Sequence, residues 1–380
     1  MSVEYKGHPV IVFALEHYNP LGLIRSLGEN GIEPIYICVL AKGKHKSACL
    51  SKYISKLHIV DTVEAGYRLL FAEYSGQTRE NLPLVLFSDD KSIGYFDARY
   101  DEVKDHFIVF NAQKANGIFK YMDKAEILHL AEKHGFRTLP HWTVDRGFIP
   151  EDIEYPVITK DINSNSGAWK ADVFICENEE ELKVAYTKIT SPVVLLQKYI
   201  DKKNECALQG YAVNHGLDMH IVTAMSWKYL IKGYYSPYHD VFMYEDVESI
   251  SKLAAMFKEI GFEGIFEVEF MIDKDDVHYF SEINFRASAW NYTGSCADMP
   301  ISYLWVKGMI DGKIDSKDIK EFEPFTSMSE VIDFGKRVDT GKVSVAEWAK
   351  DFKEAKCTYF YNKDDMAPFE MLFEEWENFK

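Results

Sequence analysis

Glu269 and Glu282 are the residues whose spacing most directly suggests chemistry. They lie in Gly264–Ile272 and Val277–Asn284, two runs rich in β-branched and aromatic residues that flank the acidic turn Asp273-Lys-Asp-Asp276. This pattern predicts a β-hairpin. With the turn centred between its last two residues, Glu269 faces Glu282 across the two strands.

Alternation along the two strands divides their side chains between two faces. Side chains two residues apart share a face, so one face is polar and carries Glu267, Glu269, Glu282, Asn284 and Arg286. The other face is apolar and carries Val268, Phe270, Ile283 and Phe285, which suit a protein core.

The facing carboxylates of Glu269 and Glu282 would repel each other unless a cation lay between them. Oxygen ligands from these two residues and Asn284 suit Mg²⁺, which keeps further coordination positions for water and phosphate. Arg286, one step along the same face, could hold a phosphate or carboxylate through its planar guanidinium. A solvated acidic face is the alternative, and a slip of one residue in register would remove the pairing.

Short apolar runs in the first part of the chain predict the scaffold that precedes this hairpin. The strand candidates are Val10–Leu15, Ile35–Leu40, Leu57–Val60, Leu84–Phe87 and Phe107–Phe110, and helical patterns between them include Leu21–Asn30 and Val63–Tyr74. Continuously apolar strands that alternate with helices favour a small doubly wound domain with a parallel sheet. The G-x-G-x-x-G loop of a dinucleotide site is missing, so we expect a scaffold that contributes part of a substrate cleft.

The middle of the chain predicts a helix followed by several strands. The helix runs from Asp123 to His134, with Asp123 as N-cap and Gly135 as C-cap. The strands are Tyr155–Lys160, Ala171–Cys176, Val193–Ile200 and Ala207–Val213, and an amphipathic helix at Asp246–Gly261 leads into the hairpin. After about residue 311 the chain is charged and helical in parts.

Composition limits the function classes. The formal net charge is −17, with 47% hydrophobic and 27% charged residues, which is typical of a soluble globular protein. Such an acidic chain would repel a phosphate backbone, so we expect no nucleic-acid partner. Six scattered cysteines without a C-x-x-C pair predict reduced thiols in a cytoplasmic protein. No stretch reaches the roughly 18 apolar residues of a membrane span.

The hairpin sequence resembles the metal-binding signature of the ATP-grasp carboxylate–amine ligases. That signature is matched by Glu282-Ile-Asn-Phe-Arg286 together with Phe266-Glu-Val-Glu-Phe270. Upstream segments are similar to the family's two ATP-contacting lysine segments, its adenine hinge and its ribose position: Asp123-Lys124 with Leu139-Pro140, Tyr155-Pro-Val-Ile-Thr-Lys160, Leu196-Gln-Lys-Tyr-Ile200 and Glu205. These pieces occur in the family's order over residues 8 to 310.

The resemblance implies a role for each matching residue. ATP would be held by Lys124, Lys160, Ser166, Gly167, Gln197, Lys198, Ile200 and Glu205, and Mg²⁺, or Mn²⁺ in its place, by Glu269, Glu282 and Asn284. Arg286 and Lys228 would supply catalytic positive charge, with Lys170 as a further cation, and Ser288, Asn291 and Tyr292 would line the acceptor side. A plain surface role remains the alternative for Lys124, Lys160 and Lys228.

Two departures from the family pattern affect the nucleotide site. Most relatives have Glu where this chain has Gln197, a residue that can still accept a hydrogen bond. The loop Asn163-Ser-Asn-Ser-Gly167 holds fewer glycines than the family's phosphate flap, which predicts a stiffer flap.

The implied fold combines α/β and α+β parts. Residues 1–119 would form a doubly wound pre-ATP-grasp domain, residues 120–310 a two-subdomain ATP-grasp fold with its lid at about 140–197, and residues 311–380 a C-terminal extension packed on it.

The implied reaction forms an amide from a small-molecule carboxylate and amine through an acyl phosphate, with an amino acid as one substrate. The resemblance also allows a homodimer. A non-catalytic nucleotide-binding module is the alternative, and activities like those of biotin carboxylase or carbamoyl phosphate synthase fit a chain of this length less well.

Overall fold

The first part of the chain builds a parallel sheet, as its continuous apolar runs predict. The computed structural model describes residues 3–40, 47–162, 172–231 and 235–378. The strands of this sheet are β1 (Glu4–Tyr5), β2 (His8–Leu15), β3 (Ile35–Val39), β4 (Lys56–Val60), β5 (Leu84–Phe87) and β6 (Ile108–Val109). Its order is β4-β3-β2-β5-β6, all parallel, with β1 antiparallel to β2.

Helices connect these strands: α1 (Tyr18–Gly28), α2 (Val63–Tyr74), α3 (Asp90–Asp97), α4 (Tyr100–Val103) and α5 (Gly117–Met122). The strand order reverses between β2 and β5, and ligands of doubly wound sheets bind at the carboxyl ends of strands at such a point. Asp89 joins these two ends, since its carboxylate accepts hydrogen bonds from Leu15 N (2.9 Å) and from Ser92 N at the start of α3 (2.7 Å).

A small antiparallel sheet occupies the predicted lid region. After α6 (Lys124–Lys133), its elements are β7 (His141–Asp145), β8 (Val157–Asp161), β9 (Ile175–Cys176), α7 (Glu179–Tyr186) and β10 (Val193–Lys198), in the order β7-β10-β8-β9. It has a core of its own that includes Val157, Leu182 and Leu196.

Strand β9 is shorter than the predicted run Ala171–Cys176. The side chain of Thr159 replaces strand pairing here, because its hydroxyl donates to Asp172 O (2.7 Å) and accepts from Phe174 N (2.9 Å). Residue 171 lies outside the described residues.

A seven-stranded sheet forms the centre of the molecule. Its strands are β11 (Asn204–Val213), β12 (Asp218–Trp227), β13 (Tyr238–Phe242), β14 (Gly264–Ile272), β15 (His278–Asn284), β16 (Phe325–Met328) and β17 (Cys357–Thr358), in the order β15-β14-β11-β12-β13-β16-β17. The helices around it are α8 (Val247–Ile260), α9 (Thr293–Cys296), α10 (Ile301–Asp311), α11 (Glu330–Arg337), α12 (Val345–Glu354) and α13 (Ala367–Asn378). The charged C-terminal part therefore adds two strands to the central sheet as well as packing on it.

The parallel sheet and the central sheet share one hydrophobic core. Asn111 and Glu263 form a β-bridge between the two regions, so the N-terminal sheet is held against the hairpin strand β14. Within the described ranges, no helix combines the length and the apolar character needed to cross a membrane.

Candidate active site

The hairpin of β14 and β15 confirms the predicted pairing of carboxylates. Glu269 faces Glu282, and Glu267 faces Asn284. The assumed turn centre was wrong, because Asp273 N donates to Val277 O (3.1 Å) and the strand ends pair one residue out of step with the site. A β-bulge between these two registers restores the alignment at Glu269.

Hydrogen bonds draw the polar side chains of this hairpin into one cluster. Asn284 Nδ2 donates to Glu269 Oε1 (2.9 Å) and to Glu267 Oε1 (3.3 Å), and an Arg286 amino group donates to Asn284 Oδ1 (3.1 Å). The Lys124 ammonium lies 3.9 Å from Glu282 Oε2. The side chains of Lys124 and Glu282 are 21% and 32% exposed, so solvent and ligands can reach the cluster.

The carboxylates of this cluster are held close together against their own repulsion. Burial, Glu282 and Glu267 raise the pKa of Glu269 well above its ordinary value, and burial raises the pKa of Glu267. Ionising these groups is therefore costly in the protein alone. A divalent cation among them would remove that cost, and two carboxylates with one amide oxygen are the ligand types that Mg²⁺ and Mn²⁺ take.

Arg286 connects the hairpin to the N-terminal sheet. Its Nε donates to Asp90 Oδ1 (3.0 Å) in the first turn of α3. Burial opposes the charge of Arg286, but Asp90 and Glu267 outweigh it and raise the pKa of the guanidinium. Asp90 was not predicted as a site residue. The Asp-Asp pair that follows strand β5 at the reversal of strand order is the sequence signal that could have identified it.

The two predicted phosphate lysines lie near the same cluster. Lys160, on β8, donates to Gln197 Oε1 (2.8 Å) on the neighbouring strand β10. The pKa of Lys160 is lowered by burial, and the nearby Glu282 offsets only part of that effect. Lys124 opens α6 after its N-cap Asp123, and its N–H donates to Ile162 O (3.1 Å). Lys160 on the small sheet and Lys124 at the start of α6 thus both lie near the hairpin carboxylate Glu282.

The hinge residues are engaged mainly within the protein. Lys198 N donates to Pro140 O and Lys198 Nζ to Tyr155 O, both at 2.8 Å, so this N–H is already used. Ile200 follows the end of β10 and is partly buried. Glu205, at the start of β11, forms a close ion pair with Lys202.

Lys228 pairs elsewhere in the structure. Its ammonium lies 2.6 Å from Asp240 Oδ1 and 5.9 Å from the centre of the Tyr238 ring. Both partners belong to β13, which is separated from β14 by two strands. Ser166, Gly167 and Lys170 lie outside the described residues.

The three residues expected on the acceptor side are buried. Ser288 Oγ lies 2.6 Å from the Gln209 amide, Asn291 Nδ2 donates to Asn19 O (2.9 Å), and Tyr292 OH donates to Glu29 Oε1 (2.5 Å). The last two contacts join the hairpin side of the molecule to α1 and the residue that follows it. Asn291 and Tyr292 therefore hold α1 in place and are buried in this structure.

Comparison with known proteins gives one family-model match and several solved structures with a similar fold. Residues 138–227 match the family model of the RimK-like ATP-grasp domain. Among solved structures, the chain resembles L-amino acid ligase from Bacillus licheniformis with a TM-score of 0.63 and 12% identity, over 85% of this chain and 80% of that one.

Two further solved structures share the fold. N5-carboxyaminoimidazole synthetase from Staphylococcus aureus gives a TM-score of 0.64 at 14% identity, over 87% of this chain and 85% of that one. The biotin carboxylase domain of 2-oxoglutarate carboxylase from Hydrogenobacter thermophilus was solved with MgADP and bicarbonate. It gives a TM-score of 0.64 at 18% identity, over 83% of this chain and 73% of that one. The predicted fold class is confirmed: residues 138–227 match the RimK-like ATP-grasp domain, and the chain as a whole has the fold of the ATP-grasp ligases.

Proposed function

We propose that this protein is an ATP- and Mg²⁺-dependent ligase that joins a carboxylate to an amine through an acyl phosphate. One observation carries the proposal: Glu269 and Glu282 face each other across a bulged hairpin, with Asn284 bonded to Glu269. Carboxylates that repel each other and have Lys124 and Lys160 nearby suit Mg²⁺ with a nucleotide phosphate.

The metal-holding residues would be Glu269, Glu282 and Asn284. In the structure Asn284 Nδ2 stabilises the carboxylates by donating to them, and its Oδ1 is the atom type that a hard cation requires. When bound, Mg²⁺ or Mn²⁺ would neutralise charge on the phosphate oxygens.

Lysines would hold the nucleotide phosphates from the other side of the cleft. Lys160, next to Gln197, would contact the α- and β-phosphates, and Lys124, near Glu282, would add a second positive charge. The assignments of adenine to Gln197, Lys198 and Ile200, of ribose to Glu205, and of the phosphate flap to Ser166 and Gly167 remain predictions, as does a catalytic role for Lys228.

The chemical step needs no nucleophile from the protein. A carboxylate oxygen of the substrate forms a bond to the γ-phosphorus while the bond to the ADP oxygen breaks. The amine nitrogen then bonds to the acyl carbon, the bond to phosphate oxygen breaks, and the amine loses a proton. Arg286 would orient the reacting carboxylate or phosphate, because Asp90 and Asn284 fix its guanidinium.

An amino acid is the substrate class that we propose for one of the two reactants. The fold likeness to an L-amino acid ligase supports this choice. The paired positive and negative groups of Arg286 and Asp90 at the cleft would suit the two charges of an amino acid. A cytoplasmic location and a homodimer remain predictions.

Product analysis tests this proposal. ADP and phosphate release from Mg·ATP is measured against a panel of amino acids and other carboxylates, with and without amines. Release that requires both a carboxylate and an amine supports the ligase. AMP as product contradicts the acyl phosphate, and ATP binding without turnover favours a nucleotide-binding module.

A matched pair of variants ties the activity to the hairpin. Glu282→Gln is expected to lower turnover by about 100- to 1,000-fold, because it removes a metal ligand while keeping the shape of the side chain. Asp275→Asn, an exposed residue in the turn of the same hairpin, is expected to keep full activity. Equal activity of the two variants contradicts the metal assignment.

A further inference from the structure

A second cluster of ligand-type side chains lies at the carboxyl edge of the N-terminal sheet. Glu16 follows β2, Cys38 lies in β3, and Cys49 lies in a short 3₁₀ helix at Ala48–Leu50. The sulfur atoms of Cys38 and Cys49 lie 3.5 and 3.6 Å from the same atom, Glu16 Oε2. The three ligand atoms all lie within 4.8 Å of one another.

The other oxygen of Glu16 fixes the direction of this carboxylate. Oε1 accepts hydrogen bonds from Ala48 N (3.1 Å) and Ser47 Oγ (3.3 Å), while Oε2 faces the two sulfurs and also accepts from Tyr36 OH (3.4 Å). A hydrogen bond to the distal oxygen is the usual way in which proteins orient a metal-ligating carboxylate. Cys38 is buried, whereas Glu16 and Cys49 are partly exposed, so an ion could reach the cluster from solvent.

The two sulfur–oxygen spacings match edges of a tetrahedron around a zinc ion, and the third spacing, between the two sulfurs, is within 4.8 Å. With Zn–S bonds of about 2.3 Å and a Zn–O bond of about 2.0 Å, tetrahedral angles place sulfur and oxygen about 3.5 Å apart. The two sulfur–oxygen distances of 3.5 and 3.6 Å agree with that value. We propose that Glu16, Cys38 and Cys49 form a site for one thiophilic divalent cation such as Zn²⁺, with a fourth position open to water.

The chemistry of the cluster separates it from the hairpin site. Two sulfur donors select Zn²⁺ over Mg²⁺, whereas the oxygen ligands of Glu269, Glu282 and Asn284 suit Mg²⁺. Binding would replace the two S–H protons that now face Glu16 by one cation, and two protons would be released. The ion would join the ends of β2 and β3 to the 3₁₀ helix, and would therefore stabilise the N-terminal sheet.

Titration of the metal-free full-length chain with Co²⁺ and Zn²⁺, under a phosphine reductant and without nucleotide, tests the site. We expect one equivalent of Co²⁺ to give thiolate-to-metal charge-transfer absorption, and Zn²⁺ to displace it. Cys49→Ser should lose the absorption, and Glu16→Gln should weaken Zn²⁺ binding by about tenfold or more.

Cys296→Ser is the matched control, because Cys296 is also partly exposed and is hydrogen-bonded to a second thiol, Cys357. It should keep the absorption. Zn²⁺ should raise the midpoint of thermal unfolding of the wild type and of Cys296→Ser but not of Cys49→Ser. Absence of the absorption in the wild type, or its survival in Cys49→Ser, overturns the proposal, and neither result depends on ligase activity.

Discussion

Two ionic clusters in this molecule differ in whether the protein itself balances their charge. Arg25 on α1 and Asp365 in the C-terminal part form a pair at 2.9 Å whose side chains are 0% and 1% exposed. The guanidinium also donates to the carbonyl oxygens of Tyr359, Phe360 and Asp365. The Asp365 carboxylate accepts from Ser51 Oγ and Lys52 N as well, both at 2.8 Å.

The hairpin cluster is the opposite case. Its carboxylates crowd one another, and the pKa of Glu269 is raised by burial and by Glu282 and Glu267. Both clusters contain buried charged groups, Arg25 in one and Glu267 in the other, so burial of a charge alone does not identify a functional site. The clusters differ in how fully the protein balances their charge: the Arg25 cluster needs nothing further, whereas the hairpin cluster would gain stability from a bound cation.

Removal of Arg25 should give the largest change in stability. Arg25→Met leaves Asp365 buried without its partner, and should lower the free energy of unfolding by about 3–5 kcal/mol. Chemical denaturation measures this loss. Lys6→Met is the control, because the Lys6–Asp311 pair at 2.6 Å is exposed and its loss should scarcely change stability. A loss for Arg25→Met as small as that of the control would contradict the structural role.

Substitution of Arg286 should have the next largest effect. This effect should be on catalytic activity and not on stability. Arg286→Lys keeps the charge but cannot contact Asp90 and Asn284 together through one planar group. We expect kcat/KM to fall about 10- to 100-fold, or about 1.4–2.7 kcal/mol. Steady-state kinetics against the acceptor substrate measures it, with unchanged thermal unfolding as the control. Full activity in the lysine variant would show that the simultaneous contacts of Arg286 with Asp90 and Asn284 are not needed for catalysis.

His220 on β12 tests whether a buried polar group without a hydrogen-bond partner is by itself enough to indicate a ligand site. Its Nε2 is buried without a hydrogen-bond partner among the described atoms, and burial lowers its pKa to about 4. The pKa of His220 is higher in the unfolded chain than in the folded protein. The stability that neutral His220 contributes is therefore complete above the unfolded-state pKa and is lost as the pH falls toward the folded-state pKa.

Stability as a function of pH measures the effect of His220. Between pH 7 and pH 5, His220→Gln should gain about 1–2 kcal/mol relative to the wild type. Catalysis at pH 7 should not change, because among the described residues His220 belongs to no group of metal-ligating side chains. Parallel pH profiles of the two proteins would show that His220 is not held neutral.

The smallest expected effect has the opposite sign to that of Arg25. Glu269→Gln removes one of the crowded carboxylates, so it should raise stability without metal by about 1 kcal/mol or less. It should also abolish the stabilisation that Mg²⁺ with ADP gives the wild type. Thermal unfolding with and without MgADP measures both. A destabilised Glu269→Gln protein that still responds to MgADP would show that Glu269 is a structural residue.

Local patterns in the sequence predicted much of the fold. Strand β5 and helix α2 have the predicted bounds, because an apolar run is a local signal; the structure adds a local N-cap for α2, in which the Thr62 side chain accepts from Ala65 N. Strand β12 was missed, although its first four residues, Asp218 to Ile221, alternate between polar and apolar side chains.

The site was predictable where one strand pair defines it and not where distant segments meet. Glu269 and Glu282 lie in one hairpin, so alternation placed them correctly although the turn was misread. The contact of Arg286 with Asp90 spans 196 residues, and that of Arg25 with Asp365 spans 340. Such contacts depend on how the two sheets pack, which no local pattern encodes.

Mn²⁺ binding in the presence of ADP, followed by electron paramagnetic resonance, tests the central claim most directly. The wild type and Asp275→Asn should bind Mn²⁺ stoichiometrically, and Mg²⁺ should compete for the site. The double variant Glu269→Gln, Glu282→Gln should remain folded and lose this binding. Unchanged Mn²⁺ affinity in the double variant would contradict the assignment of the facing carboxylates as the metal site.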